Sequence, residues 1–232
     1  MSHLEEQNEK YRQHYKQLVE TENNEAHAAE LAVGGQFERF GKIELALLQS
    51  VGFGDGDLLL DVGCGTGRLA VQLSKVHKGR YIGTDVVDDM LAYSRKLVSR
   101  PDWEFLVAEG LTVPASDDSA RIICFFSVMT HLLHEQSFLY LQDAHRALVP
   151  GGTAIFSFLE FKMGSHWSIF KGSVESVNTN RHLNMFVDRI GIQAWAEHIG
   201  YSSVRFLDGN QPQVEVNGQP DSLGQSVAIL TK

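Results

Sequence analysis

Leu58-Leu59-Leu60-Asp61-Val62-Gly63-Cys64-Gly65-Thr66-Gly67-Arg68-Leu69-Ala70 passes from an apolar run, through a glycine-rich turn, into an amphipathic segment. Leu58 to Leu60 with Val62 is too short for a helix and suits a central parallel strand covered on both faces. Gly63, Gly65 and Gly67 alternate. Glycine permits the positive φ of a tight turn and lets a ligand approach the backbone. Beyond Gly67, Leu69, Ala70, Val71 and Leu73 recur at helical spacing. The loop therefore meets a helix N-terminus, whose free N–H groups and dipole favour an anionic group.

Strands and helices alternate outward from this point. Tyr81 to Asp85, Trp103 to Ala108, Ile122 to Phe126 and Thr153 to Leu159 read as strands two to five. Between them lie helices from about 67 to 77, from Val86 to Ser99 and from Gln136 to Leu148, the last stopped by Pro150-Gly151-Gly152. Arg189 to Ile199 is a further helix, and Ser203–Leu207 and Gln225–Leu230 are final strands around a polar loop at 209 to 224. This order predicts an α/β fold: a three-layer, Rossmann-like, doubly wound and mostly parallel sheet. Residues 1–54 are expected to form an N-terminal helical cap or lid, in two parts broken at Gly34-Gly35. Residues 55–232 form the main domain, with an insertion after the fifth strand at about 160–187.

The chain has 232 residues and a formal net charge of −9, which argues against a nucleic-acid surface. No apolar run approaches the ~20 residues of a membrane span. The N-terminus is too polar for a signal peptide, and the two cysteines, Cys64 and Cys124, suggest a reducing cytoplasm. A homodimer is compatible with the sequence, which does not fix the oligomeric state.

In open parallel sheets the ligand lies beyond the carboxyl ends of the strands. Asp61, Asp85, Glu109 and Ser127 each stand at or just past such an end. The glycine spacing, G-x-G-x-G, differs from the G-x-G-x-x-G of dinucleotide sites. Asp61, directly before the loop, would repel a pyrophosphate but attract an ammonium or a sulfonium. Asp85 is placed to accept both hydroxyls of a ribose. Glu109 or the neighbouring backbone, at Gly110, is placed to reach an adenine's exocyclic amine, and the apolar Val86, Val87, Leu111 and Val113 to sandwich its ring. These parts compose S-adenosyl-L-methionine.

At this point the chain resembles the class I S-adenosylmethionine-dependent methyltransferases. The resemblance is carried by Leu59 to Gly67, Tyr81 to Asp85, Ala108-Glu109-Gly110 with Val113-Pro114, Ser127 to Leu132, and Ala144 to Gly152. It implies a seven-stranded sheet whose last strand runs antiparallel, and a cofactor site of Asp61, Gly63, Cys64, Gly65, Gly67, Asp85, Val86, Glu109, Gly110 and Ser127. The product would be S-adenosyl-L-homocysteine. A weaker resemblance, in the flanks, is to bacterial methyltransferases of polysaccharide, lipid or secondary-metabolite pathways.

Methyl transfer needs an aligned acceptor, dry surroundings and a base for the acceptor's proton. His131 follows the fourth strand directly and is the expected base, with His134 on the same face as a substitute. The expected acceptor is a small molecule with an oxygen or nitrogen nucleophile, held by His166, Trp167, His182 and Asn184 of the insertion. No metal site is expected, because no Cys or acid cluster accompanies these histidines. A nucleic-acid amine methyltransferase would carry an Asn/Asp-Pro-Pro-aromatic motif where Ser127-Val128-Met129-Thr130 stands. The competing reading is a donor-binding regulatory or scaffold subunit without turnover.

Overall fold

The side chains of Leu59 and Leu60 point to opposite faces of one sheet, and each enters a different core. Leu60 and Val62 pack with Phe125, Phe156, Leu141 and Ile192, whereas Leu59 packs with Ile43, Leu47, Leu73, Leu91 and Ile122. This two-fold alternation is the pleat of a strand covered on both sides. The computed structural model describes residues 3–178 and 183–232.

The strands are β1 (Leu59–Val62), β2 (Tyr81–Asp85), β3 (Glu104–Val107), β4 (Ala120–Phe125), β5 (Leu148–Phe158), β6 (Ser203–Leu207), β7 (Val214–Val216), β8 (Gln219–Asp221) and β9 (Ser226–Thr231). Seven of them form one sheet in the order β3-β2-β1-β4-β5-β9-β6. Neighbours from β3 to β5 run parallel, and β9 runs antiparallel to both β5 and β6. The chain winds outward from β1 to β3 and then returns to place β4 beside β1. A crevice therefore opens at the carboxyl ends of β1 and β4.

The helices are α1 (His3–Thr21), α2 (Glu25–Ala32), α3 (Phe37–Ser50), α4 (Arg68–Ser74), α5 (Asp88–Val98), α6 (His134–Ala147), α7 (Gly164–Glu175) and α8 (Arg189–Ile199). Residues of α3, α4 and α5 enter the core on one face of the sheet, and residues of α6 and α8 enter the core on the other. The helix α3 contributes Ile43, Leu47 and Leu48 to the same core as β1 and β2. By contrast, α1 packs through Tyr11 and Tyr15 against Val86, Val87 and Met90, in a small cluster of its own.

Three elements differ from the sequence-based expectation. Strand β5 begins at Leu148, because Leu148 pairs with Ala120 across an irregularity in register. Pro150-Gly151-Gly152 thus ends α6 and still lies within the strand, where Gly151 N–H donates to Lys232 O and Lys232 N–H to Gly152 O. The loop at 209–224 contains the hairpin β7–β8, turned at Asn217 and Gly218 with φ of 52° and 75°. The insertion contains α7, and the chain returns to the sheet through an isolated bridge between Leu159 and Phe186.

Candidate functional site

Because side chains alternate along a strand, Asp61 shares the side of Leu59, facing α3 and α4. The carboxylate is 3% exposed. Its Oδ2 accepts from the Tyr81 hydroxyl at 2.8 Å and its Oδ1 from the Cys124 thiol at 3.5 Å. Burial nevertheless raises its pKa to about 6. Asp85, at the end of β2, accepts from Gly65 N–H at 2.9 Å and from Val87 N–H at 3.0 Å. It therefore braces the glycine loop and starts α5. Burial also pushes its pKa upward.

The loop is held closely from three sides. Gly63 has φ of 73°, and a Cβ there would lie 2.4 Å from Val128 Cγ2. Only glycine meets both constraints. Thr66 Oγ1 donates to Ala29 O at 2.9 Å, and Arg68 Nη1 donates to Val33 O at 2.7 Å, so the loop is tied to the segment around α2. Ser127, just past β4, has φ of 60°, an uncommon conformation for a residue with a side chain. Its N–H donates to Ser157 Oγ at 2.7 Å, and its hydroxyl donates to Gln225 at 3.4 Å.

These residues surround a cavity of about 480 Å³. Asp61, Gly63, Cys64, Gly65, Asp85, Val86, Gly110, Ser127 and His131 line it. Gly67 and Glu109 do not. Gly67 lies behind the loop, where a Cβ would lie 2.9 Å from Ser94 Oγ, and Glu109 is exposed to solvent. The end of the cavity near Asp85 is walled by Val87, Ala108, Leu111 and Tyr140. Tyr140 donates to Gly110 O at 3.1 Å. The cavity is long, mostly apolar and edged by a few carboxylates, which fits a nucleoside carrying a charged tail.

His131 ends a 3-10 turn over Met129–His131 and reaches the cavity. Its Nδ1 lies 2.7 Å from Leu183 O. A carbonyl only accepts, so Nδ1 carries the proton and Nε2 has a free lone pair. Burial lowers the pKa of His131, which keeps the ring neutral at neutral pH.

The other histidines stand elsewhere. His134 Nε2 donates to Phe186 O at 2.9 Å and packs edge-on against Trp195, away from the cavity. His166 is fully buried; its Nδ1 accepts from Glu160 N–H at 2.9 Å, and its Nε2 donates to Gly224 O at 3.0 Å. It latches two loops together and is not placed to meet an acceptor. Trp167 packs on Phe170 in an aromatic cluster with Phe161 and Phe186, and Asn184 Nδ2 donates to Ser173 of α7. Neither lines the cavity. His182 lies outside the described residues. Among the described residues, no group of three His, Cys, Asp or Glu side chains is placed to hold a metal ion.

Sequence reasoning missed several walls. The helix α1 roofs the cavity with Leu4, Gln7, Asn8, Tyr11 and His14. Gln7 Nε2 donates to His131 O at 3.3 Å, Gln136 donates to Gln7 at 3.1 Å, and Arg12 Nε donates to Val86 O at 3.2 Å. Glu44 of α3, Arg68 of α4 and Gln225 also line it. Arg68 directly follows the glycine loop and was within reach of the sequence. Glu44 gave no signal, since its role depends on a helix packing against α4.

The strand order, the antiparallel β9 and the acids at the ends of β1 and β2 define a Rossmann-like methyltransferase fold. Residues 59–152 match the family model described as a methyltransferase domain. The chain is 34% identical over 101 residues to a ribosomal protein L11 methyltransferase of Caulobacter sp. (strain K31), covering 43% of this chain and 34% of that protein. It is 34% identical over 97 residues to a demethylmenaquinone methyltransferase of Chlorobaculum tepidum, covering 41% of this chain and 38% of that one. The matched stretches thus span little more than a third of either relative. In structure, the chain resembles a magnesium protoporphyrin IX methyltransferase from Synechocystis PCC 6803 with bound S-adenosylhomocysteine. The TM-score is 0.63 at 13% identity, covering 95% of this chain and 93% of that one. Over residues 59–152 the chain is thus similar to the methyltransferase domain family, and its fold is that of the class I S-adenosylmethionine-dependent methyltransferases.

Proposed function

We propose that this chain moves a methyl group from S-adenosyl-L-methionine to an oxygen or nitrogen nucleophile of a small molecule. The observation that carries the reading is the roofed cavity. Asp61, Asp85 and the glycine loop form its floor, His131 stands in its wall, and α1 closes it. A cavity of about 480 Å³ under a helix suits a small acceptor better than a folded macromolecule.

The donor, when bound, supplies an activated methyl on a sulfonium, so the protein need not activate it. The remaining work falls to the chain. Asp85 holds the ribose hydroxyls while Val86, Val87 and Leu111 enclose the base. Asp61 offers negative charge to the cationic end. Phe126, Val128 and Leu132 keep water from the reacting atoms. The acceptor attacks in line with the breaking carbon–sulfur bond, and His131 Nε2 takes the acceptor's proton. Helices α1 and α2 act as the lid of this site.

Two measurements test the reading. Calorimetric titration with S-adenosylmethionine should give saturable binding. Labelled methyl transfer to a panel of small hydroxyl and amine acceptors should give turnover that His131→Ala abolishes without weakening the donor. Binding without transfer to any acceptor would favour a donor-binding subunit. Full turnover by His131→Ala would remove the base.

A further inference from the structure

Among the described residues, three carboxylates converge on the cavity wall and one guanidinium meets them. Glu44, Asp61 and Asp85 line its wall, and Arg68 is the guanidinium beside them. Glu44 is 1% exposed and projects from α3. Its Oε1 lies 2.5 Å from Arg68 Nη2 in an ion pair, with the guanidinium off the ideal hydrogen-bond direction. Arg68 Nη1 is engaged by Val33 O at 2.7 Å. A buried carboxylate oxygen held by one misaligned donor keeps a lone pair that a ligand's donor can meet. The local charge points the same way, since Asp61 and Asp85 face the cavity with no cation of their own among the described residues.

We propose that Glu44 and Arg68 grip the amino-acid end of the donor from outside the glycine loop. Glu44 accepts a hydrogen bond from the ammonium, and Arg68 donates to the carboxylate. This rests on the donor reading above and adds two binding residues to it. The geometry is complementary: a zwitterion presents one group of each sign, and the Glu44–Arg68 pair presents the opposite two. The pair also spans α3 and α4, so the donor's tail is held by two helices as well as by the glycine loop. Asp61 adjoins both side chains and completes a negative field that favours the cationic donor over its neutral-sulfur product.

A proton follows the ligand. Burial raises the pKa of Glu44 to about 7, and Arg68 opposes this while Asp61 reinforces it. Cys124 on β4 also faces Glu44. Lys75 at the end of α4 acts on Glu38 instead, and Glu215 on β7 is exposed. An ammonium beside Glu44 lowers its pKa, so donor binding near neutral pH releases a proton.

The test compares ligands with and without the amino-acid tail. Calorimetry on the wild-type chain, Glu44→Gln and Arg68→Lys uses S-adenosylhomocysteine and 5′-methylthioadenosine. Glu44→Gln should weaken S-adenosylhomocysteine about tenfold or more and leave 5′-methylthioadenosine within about twofold. Arg68→Lys should weaken S-adenosylmethionine more than its decarboxylated form. Wild-type binding of S-adenosylhomocysteine at pH 6.5 to 7 should give a buffer-dependent heat of proton release, absent from Glu44→Gln. Equal losses for both nucleosides, or no loss for either, would overturn the proposal. So would the lack of proton release from the wild type, a readout that stands even if Glu44→Gln does not fold. If the wild type binds neither nucleoside, the donor reading itself falls, and the two failures are distinguishable.

Discussion

The Tyr81 hydroxyl donates to Asp61 Oδ2 at 2.8 Å, across the parallel pair β1–β2. Tyr81 is fully buried, and its ring stacks on Trp103 at 4.7 Å between centroids. A residue of the second strand thus fixes the carboxylate at the end of the first. Removing the hydroxyl leaves Asp61 with only the Cys124 thiol. Tyr81→Phe should weaken S-adenosylmethionine binding about tenfold and lower stability by about 1 to 2 kcal/mol, read by titration and by denaturant unfolding.

Gly63 faces two constraints that separate experimentally. Gly63→Ala puts a methyl against Val128 Cγ2 at 2.4 Å and also strains a φ of 73°. Donor binding should fall by about two orders of magnitude. Adding Val128→Ala removes the clash but not the strain, so the double variant should recover part of the affinity and not all of it.

Gly83 faces a constraint of space alone. A Cβ there would lie 2.8 Å from Tyr81 Oη and 2.9 Å from Cys64 Sγ, all within a buried strand. Gly83→Ala should cost about 1 to 3 kcal/mol of stability. It should also shift the near-ultraviolet circular dichroism that reports the packing of Tyr81 and Trp103.

The ligand-free chain should lose stability as pH rises from about 4 to about 7. Asp61 and Glu44 have folded pKa values raised to about 6 and about 7, from ordinary values of 3.8 and 4.5. Between those limits the folded state binds more protons than the unfolded state, so stability declines with rising pH. Asp143 and Asp221 shift the other way, held down by Arg146 and Arg39, and their contribution is lost as pH falls through the acid range. Melting temperature should therefore peak near pH 4 and drop by about 3 °C or more by pH 7. Glu44→Gln should flatten that drop.

If His131 is the base, its deprotonated form is the active one. Burial lowers its pKa below 6.5, so kcat/KM should be level at neutral pH and decline only on the acid side of that value. A profile with its acid limb well above 6.5 would assign the limb to another group.

The sheet and the glycine-loop wall of the cavity were legible because both are written locally. The run Leu59 to Gly67 carries strand, turn and helix start in nine residues, and Asp85 ends a strand whose limits were plain from composition. The acceptor side was not legible. The aromatic residues of the insertion suggested a pocket, but they pack on one another, and His166 is consumed by Glu160 and Gly224. Hydrophobic character says that a residue will be covered, not by what. The hairpin at 214–221 has its signal in Asn217-Gly218, but the polar composition on either side masks the short strands. Glu44 and Arg68 lie 24 positions apart in the chain, and only the packing of α3 on α4 brings them together.

The roof over the cavity sets a limit on speed. Helix α1 is fastened by a few side chains: Gln7 to His131 and Gln136, Arg12 to Val86, and the cluster of Tyr11 and Tyr15. On the proposed function, donor and spent product pass beneath it, and each turnover would then include a mechanical stroke, the lifting and reseating of a 19-residue rod. A stroke of that kind works against the drag of the solvent, so thickening the medium with an inert sugar would slow turnover in proportion, although no bond is made or broken in the movement.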